Sequence, residues 1–333
     1  MLQVDNQTPF NALVSVLPDR TGADVPFVLL RATFTLEPAP ELAAAQLPPA
    51  IADEYHGGAT ASSLRYASDW HVGKPATDVV LVGSAHAPNG RPVTSLLVGM
   101  VVNRRAKAAR VFGDRVWTGM GGFTEPQPFT EVPLTWERAF GGSHVLGTGE
   151  VLAEERNPVG AGFPGKWSAA ERAGALLPNV EDPAHLLTSF GDRPDPVGFG
   201  FVASGWWPRR GLAGTYDGAW LQTRAPYLPE DCDPRFFCAA PRDQVFEPRL
   251  SGGEPIELLG VHPAGPLQFA LPAWDLEGVA RIAGSIERRP LSLETVLIEP
   301  DAGRLSLTFR AVFPWVKTAL RLESIRIEGR PRS

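Results

Sequence analysis

Between Pro26 and Leu36 the chain alternates. Val28, Leu30, Ala32, Phe34 and Leu36 are apolar, and Arg31, Thr33 and Thr35 stand between them. A period of two is that of a β-strand with one buried face. Val25, Phe27 and Leu29 make the first half apolar on both faces, which predicts entry into a sandwich interior. Residues 78–85 and 93–102 predict two more strands, with Pro88-Asn89-Gly90 as the hairpin turn between them. Residues 108–112 and 115–117 flank a second turn pair, Gly113-Asp114. Near the C-terminus, Leu305, Leu307, Phe309, Ala311 and Phe313 point one way and Arg304, Ser306, Thr308 and Arg310 the other. With residues 295–298 and the turn Pro300-Asp301-Ala302-Gly303, they predict the cleanest hairpin in the chain. Residues 320–327 predict one further strand.

The middle differs. Gly (34) and Pro (33) together make a fifth of the chain, against a usual share of roughly 12%. Residues 141–270 hold 19 of these Gly, 15 of the Pro and four of the nine Trp. Pro and Gly break the helical ladder, so long helices are excluded. The box Ser168-Ala-Ala-Glu171 predicts a short helix over 169–177. Residues 41–55 predict another, interrupted by Pro48-Pro49. Each Trp brings a large ring to bury, so the middle is expected to be an ordered layer packed on the strands. The expected fold class is therefore mainly β: antiparallel, sandwich or barrel-like sheets, a long Gly/Pro/Trp-rich irregular insertion, and one or two short helices. The reading is one domain over 1–333, with an N-terminal β region (1–140), the insertion (141–270) and C-terminal hairpins (271–333). Two β domains are the alternative.

Composition narrows the function. Acids outnumber bases 37 to 31, for a net charge of −6, which speaks against a nucleic-acid binder. Arg supplies nearly all of the basic residues, a bias that base composition explains. The N-terminal Met-Leu-Gln-Val-Asp-Asn has no basic segment and no apolar run, so a cytoplasmic location is expected. No apolar run reaches the length of a membrane span. Cys232 and Cys238 lie six apart, as a disulfide or as two incidental thiols.

Catalytic motifs are thin. Gly198-Phe-Gly200-Phe-Val-Ala203 fits a dinucleotide pattern but lacks its strand and helix. No G-x-S-x-G elbow exists, and Ser143-His144 reads as a turn. Asp69-Trp70-His71 places two potential metal ligands on one face of a strand, and Asp231-Cys232-Asp233 is similar; both read as structural. Neither a metal nor a cofactor is expected. Glu131, Glu137, Asp182 and Asp217 sit near aromatics, as a glycoside hydrolase would require, and the local reading of each is a turn cap or an Arg partner. Glu137-Arg138, beside Trp136 and Phe140, reads as a structural charge pair. The densest stretch holds Trp206, Trp207, Arg209, Tyr216, Asp217 and Trp220. These side chains dominate protein interfaces and equally fill cores; all six are candidates for contact with a partner.

A series of segments in fixed order carries a resemblance. It runs His71-Val-Gly-Lys74-Pro-Ala-Thr77-Asp78, then Val111-Phe-Gly-Asp-Arg115-Val-Trp117, then Pro133-Leu-Thr-Trp136-Glu137-Arg138-Ala-Phe140-Gly-Gly142. Asn157-Pro-Val-Gly160, Leu177-Pro-Asn179-Val-Glu181-Asp-Pro183, Gly198-Phe-Gly200, Trp207-Pro-Arg209, Gly214-Thr-Tyr216-Asp217 and Ala240-Pro-Arg-Asp-Gln244 follow. Together they resemble the domain-of-unknown-function family 2169, found beside type VI secretion genes, over residues 6–315. Trp136 departs from the family pattern, which more often has Tyr there. The resemblance implies no enzymatic activity. It implies a cytoplasmic adaptor or chaperone that holds a toxic effector and helps load it onto the VgrG/PAAR spike. A carbohydrate-active hydrolase or a sugar-binding β module is the alternative reading.

Overall fold

The computed structural model describes residues 2–19, 21–314 and 322–332. Three larger sheets organise the chain. The main sheet has six strands in the order Val245–Phe246, Thr77–Leu81, Ser292–Glu299, Arg304–Val312, Asp24–Thr35 and Asn11–Pro18. Only its Thr77–Leu81/Ser292–Glu299 pair is parallel. A second, antiparallel sheet runs Val180–Glu181, Arg105–Phe112, Ser95–Val102, Pro255–Leu259 and Leu267–Ala270. A terminal sheet runs Gln3–Asn6, Leu322–Pro331, Trp274–Ile282 and Ser285–Pro290, with its first pair parallel. The fold is mainly β, as expected, but each sheet is open and none closes into a barrel.

The C-terminal hairpin forms as predicted. Ser292–Glu299 and Arg304–Val312 pair around Gly303, whose φ of 58° is the left-handed geometry the turn requires. Its alternation has an unexpected meaning. Ser306, Thr308 and Arg310 are as buried as Leu305 and Leu307. The strand therefore separates an apolar interior from a polar interior. Of the strand predicted over 320–327, the part from Leu322 onward is observed, and residues 320 and 321 lie outside the described residues.

The first hairpin is a correction. Thr77–Leu81 and Ser95–Val102 belong to different sheets. Every residue of Thr77–Leu81 is buried, so this strand needs partners on both sides and lies inside the main sheet. Asn89 (φ 54°) and Gly90 (φ 65°) do turn the chain, but Ser84–His86 before them pairs with Glu131–Pro133. The hairpin of Ser95–Val102 is made with Arg105–Phe112, through Asn103 and Arg104 at positive φ. Gly113-Asp114 makes no hairpin either. Gly113 lies flat on the Gln127 backbone, where a side chain would collide, and Val116 and Trp117 bridge to Leu176 and Phe123.

Both predicted helices are absent, for backbone reasons. The capping box does form: the Ser168 amide and hydroxyl donate to the Glu171 carboxylate at 2.7 and 2.8 Å. The helix stops there because Trp117 takes the next backbone groups. The Gly174 amide donates to the Trp117 carbonyl, and the Trp117 amide to the Ala175 carbonyl. In 41–55 the chain stays extended along the main sheet. The Ala43 amide donates to the Thr33 carbonyl, and Gln46 brackets the Thr33 amide and carbonyl at 2.8 Å each. The α-helix that is present, Gly218–Thr223, is capped by Asp217, which accepts the Trp220 amide at 2.8 Å.

One large core draws on every region. Leu30, Leu81, Val98, Trp136, Leu307 and Ile325 share it with Phe199, Phe201 and Trp206 of the insertion. A smaller core gathers Trp117, Phe140, Leu177 and Leu187. Trp206 meets Trp136 edge to face at 6.1 Å, and the Trp136 indole donates to the Phe201 carbonyl at 2.9 Å. Trp206→Ala is thus a core truncation, expected to cost about 3–5 kcal/mol. Chemical denaturation measures it; a variant as stable as the parent would place Trp206 outside the core.

Candidate functional site

The most concentrated chemistry lies on the polar interior face of the C-terminal hairpin. Lys74 Nζ reaches Asp78 Oδ2 at 2.7 Å and Thr295 Oγ1 at 2.8 Å. Asp78 Oδ2 also accepts the Ala239 amide at 2.8 Å. Glu294 accepts Arg310 Nε at 2.7 Å and the Lys74 amide at 3.1 Å. Arg310 continues to the Asp69 carbonyl at 2.7 Å and lies over the Phe27 ring. Arg249 closes the group, with Glu294 at 3.8 Å and the carbonyls of Lys74 and Ala76 as acceptors. Lys74, Asp78, Glu294 and Arg310 are each buried. Four separate segments meet here: the 69–78 loop and strand, the two hairpin strands, and the 239–249 end of the insertion.

His71 sits inside this group, stacked on Phe237 at 5.3 Å. Its Nδ1 accepts the Gly73 amide at 3.0 Å, which leaves Nε2 facing Glu294 at 4.0 Å. Burial, then Arg310, Lys74, Arg209 and Arg249, hold its pKa well below the ordinary value. His71 is therefore neutral. Neighbouring Asp69 is buried, accepts the Ala50 amide at 2.8 Å, and has its carboxyl pushed up by burial. The expected strand over Asp69-Trp70-His71 is not there. The two side chains part into different contacts rather than sharing a face as ligands.

The other motif residues do similar work. Asn157 donates to the Trp136 and Phe140 carbonyls at 2.7 and 2.9 Å. Gln244 donates to the Val79 and Phe199 carbonyls at 2.7 and 2.9 Å. Arg115 binds Glu181 and the Pro178 carbonyl, and Glu181 also accepts the Leu187 amide. Gly198 lies on the Trp136 ring, where a Cβ would approach to 2.9 Å, so its Gly-x-Gly spacing serves packing. Glu137 and Arg138 do not form the expected pair with one another, which is a further correction. Glu137 accepts the Ser63 amide and hydroxyl at 2.6 and 2.8 Å, and Arg138 reaches Asn179 at 3.0 Å and Asp114 at 3.3 Å. Adjacent residues in this extended-to-turn segment diverge and pin two different loops.

The interface candidates separate. Trp206 is in the core. Arg209 is held inward by the Phe236 and Val202 carbonyls at 2.7 Å each. Asp217 is the helix cap. Trp207 is 40% exposed and Tyr216 52%. Trp220 is half-buried, meets Tyr216 edge to face at 4.7 Å, and donates its indole N–H to the Tyr227 carbonyl at 2.9 Å. Leu221 and Tyr227, which composition did not mark, complete this group as exposed apolar side chains. A six-residue helix and the segments on either side of it thus present aromatic and aliphatic groups outward from the insertion.

A family model described as "Uncharacterized protein conserved in bacteria (DUF2169)" matches residues 21–310. The chain belongs to the DUF2169 family. No curated protein and no solved structure matches it. In this DUF2169 protein many of the motif residues lie in the interior network and its neighbours, while Tyr216 and Asp217 of the series belong to the exposed group at 216–227.

The carboxylates considered for sugar chemistry are spread over separate local tasks. Asp182 caps the Ala184 amide at 2.8 Å, while Glu137 and Asp217 are placed as above. Glu131 stands opposite His86, and with Asp301 these form a set of donor atoms close enough to share a metal ion. His86 and Asp301 already pair at 2.8 Å. An open groove of about 870 Å³ runs between the main and terminal sheets, lined by Arg249, Trp274, Glu277, Glu328 and Arg332. Its Glu277 and Glu328 share Arg288. Cys232 and Cys238 are free and buried; burial pushes the Cys238 thiol up to about 12. No helix among the described residues is long and apolar enough to cross a membrane.

Two measurements test the interior network. Glu294→Ala leaves Arg310 buried without its carboxylate and is expected to cost about 3–5 kcal/mol, whereas Glu294→Met with Arg310→Met together is expected to cost much less. Equal losses in both would show that the pair itself is the source of stability. His71 is the pH test. Its folded pKa lies below its unfolded one, so the unfolded chain binds the extra proton, and stability is full above about pH 6.5 and falls as pH drops below it. The slope is expected to approach about 1.4 kcal/mol per pH unit, with a smaller share from His56, whose pKa burial also lowers. His71→Phe should flatten the curve between about pH 6.5 and 5; an unchanged slope refutes the assignment.

Proposed function

We propose that this DUF2169 protein is a cytoplasmic adaptor or chaperone of a type VI secretion system, which binds a secreted effector and helps load it onto the VgrG/PAAR spike. The observation that carries this reading is the division of labour just described. The charged residues of the motif series are spent on internal fastening, while the insertion offers an uncharged aromatic group to the outside. Tyr216, Leu221 and Tyr227 combine large apolar area with few rotatable bonds, the chemistry of a protein-binding anchor. Leu221 is on the short helix and the two tyrosines flank it; the helix cap, Asp217, and the indole bond from Trp220 to Tyr227 tie the three segments together. A frame that keeps its shape binds at lower entropic cost than one that orders on contact.

Co-expression with the effector encoded beside it is the direct test. A stable complex is expected, and secretion of that effector should drop when the adaptor is deleted. Tyr216→Ala and Leu221→Ala should each weaken the complex by about 2 kcal/mol or more with melting temperature unchanged. An effector that is equally soluble and equally secreted without this protein refutes the reading.

A further inference from the structure

We propose that the edge strand Asn11–Pro18 pairs with the same strand of a second copy, joining two main sheets across a twofold axis. The inference does not depend on the adaptor reading. It starts from how the sheet edges are protected. Edge strands normally carry charge, or are kept very short, because their free amides and carbonyls accept any extended chain. Four of the other edges of the three sheets follow this rule. Ser285–Pro290 carries Glu287, Arg288 and Arg289, Gln3–Asn6 is short and carries Asp5, and Val180–Glu181 and Val245–Phe246 have two residues each. Leu267–Ala270 is uncharged but only four residues long. Asn11–Pro18 has eight residues, reads Asn-Ala-Leu-Val-Ser-Val-Leu-Pro, and holds no charge.

Its neighbourhood leaves that stretch alone open. Beyond Arg31 the edge of the Asp24–Thr35 strand is already covered, by Glu41, Ala43 and Gln46. Among the described residues, nothing pairs with the outer side of Asn11–Pro18.

The register shows which groups are free. The Asp19 amide donates inward to the Ala23 carbonyl at 2.8 Å, and the pairing runs without a shift from Pro18 to Asn11. Alternation then turns the amides of Leu17, Ser15 and Leu13 inward and those of Val16, Val14 and Ala12 outward. Pro18 falls in the outward set, where its missing N–H costs no ladder bond. At the other end the Phe10 amide is taken by the Thr8 hydroxyl at 3.3 Å. The open ladder is thus Ala12, Val14 and Val16, bounded on both sides.

A second copy fits this ladder without remainder. With antiparallel strands and the axis at Val14, Val14 meets Val14, and Ala12 meets Val16 of the other chain. Every amide and carbonyl of Ala12, Val14 and Val16 finds a partner. No charge meets a like charge, because residues 11–17 have none. A twofold pairing also closes on itself and leaves no further edge to propagate.

Sedimentation equilibrium of the full chain, loaded from about 1 to about 200 µM, reads the outcome. A reversible monomer–dimer equilibrium is expected. Val16→Pro removes one outward amide and keeps the inward ladder, and should raise the dissociation constant at least tenfold. Leu13→Lys with Ser15→Lys places like charges opposite one another across the axis and should abolish the dimer. Mixing that variant with Leu13→Glu/Ser15→Glu should restore a heterodimer, a result that also carries the test if Val16→Pro fails to fold. A monomer at all concentrations overturns the proposal, including the case in which Val16→Pro then loses a different protein that had added its own strand. A dimer that survives both Val16→Pro and the lysine pair overturns it as well, since its interface lies elsewhere.

Discussion

The fold depends on a buried charge network at the middle of the main sheet. Glu294 and Arg310 face each other across the C-terminal hairpin, with Asp78 on the parallel strand and Lys74 in the loop before it beside them. Taking these ions from water is costly, so the network gives little net stability over an apolar core of equal volume. What it imposes is geometry. Glu294 accepts from both Arg310 and the Lys74 amide, and Asp78 accepts from both the Lys74 ammonium and the Ala239 amide. A strand slipped by one residue would leave several of these groups buried without partners, which costs far more than a lost aliphatic contact. The network therefore selects the one register in which a parallel strand, a hairpin and the end of the insertion all meet.

That constraint explains how so much irregular chain stays ordered. The insertion has little secondary structure of its own, yet side-chain-to-backbone hydrogen bonds tie it to distant segments. Asn157, Gln244 and Trp136 each supply such bonds, and Phe199, Phe201 and Trp206 bury apolar area in the shared core. Gly earns its frequency where backbones touch: Gly113 on Gln127 and Gly198 on Trp136 admit no side chain. Loops fixed in this way can hold exposed apolar groups such as Tyr216 and Leu221 without collapsing onto them.

The local patterns were legible where the backbone pairs with its own neighbours in sequence. The 292–312 hairpin and the Asp24–Thr35 strand follow directly from period two and turn chemistry. The patterns misled where a distant group competed. The Ser168 capping box is real, but Trp117 takes the carbonyl and amide that the next helical turn needed. Asn89-Gly90 turns the chain, but the fully apolar run at 79–81 belongs inside a sheet and not in a hairpin. Polar residues at alternate positions on the last hairpin, Ser306, Thr308 and Arg310, read as solvent-facing and are interior. Arg310 finds Glu294 16 residues away and the Asp69 carbonyl further still, and no local period encodes such a pairing. Leu221 and Tyr227 were passed over because exposure is decided by what does not cover a residue.

The same reasoning separates what the motif series reports from what the surface does. Several of its polar residues, Lys74, Asp78, Asn157, Glu181 and Gln244 among them, are buried and hydrogen-bonded within the chain. Their bonds hold the fold together, so the series is a signature of the fold, and function has to be argued from particular sites. Function must then be sought among groups that folding leaves unused. Among such groups are the exposed aromatic and aliphatic side chains around a capped helix, and an uncharged strand edge whose free amides are bounded at both ends. One suits side-chain recognition and the other main-chain pairing. They use different elements of the chain, so occupancy of one leaves the residues of the other unspent.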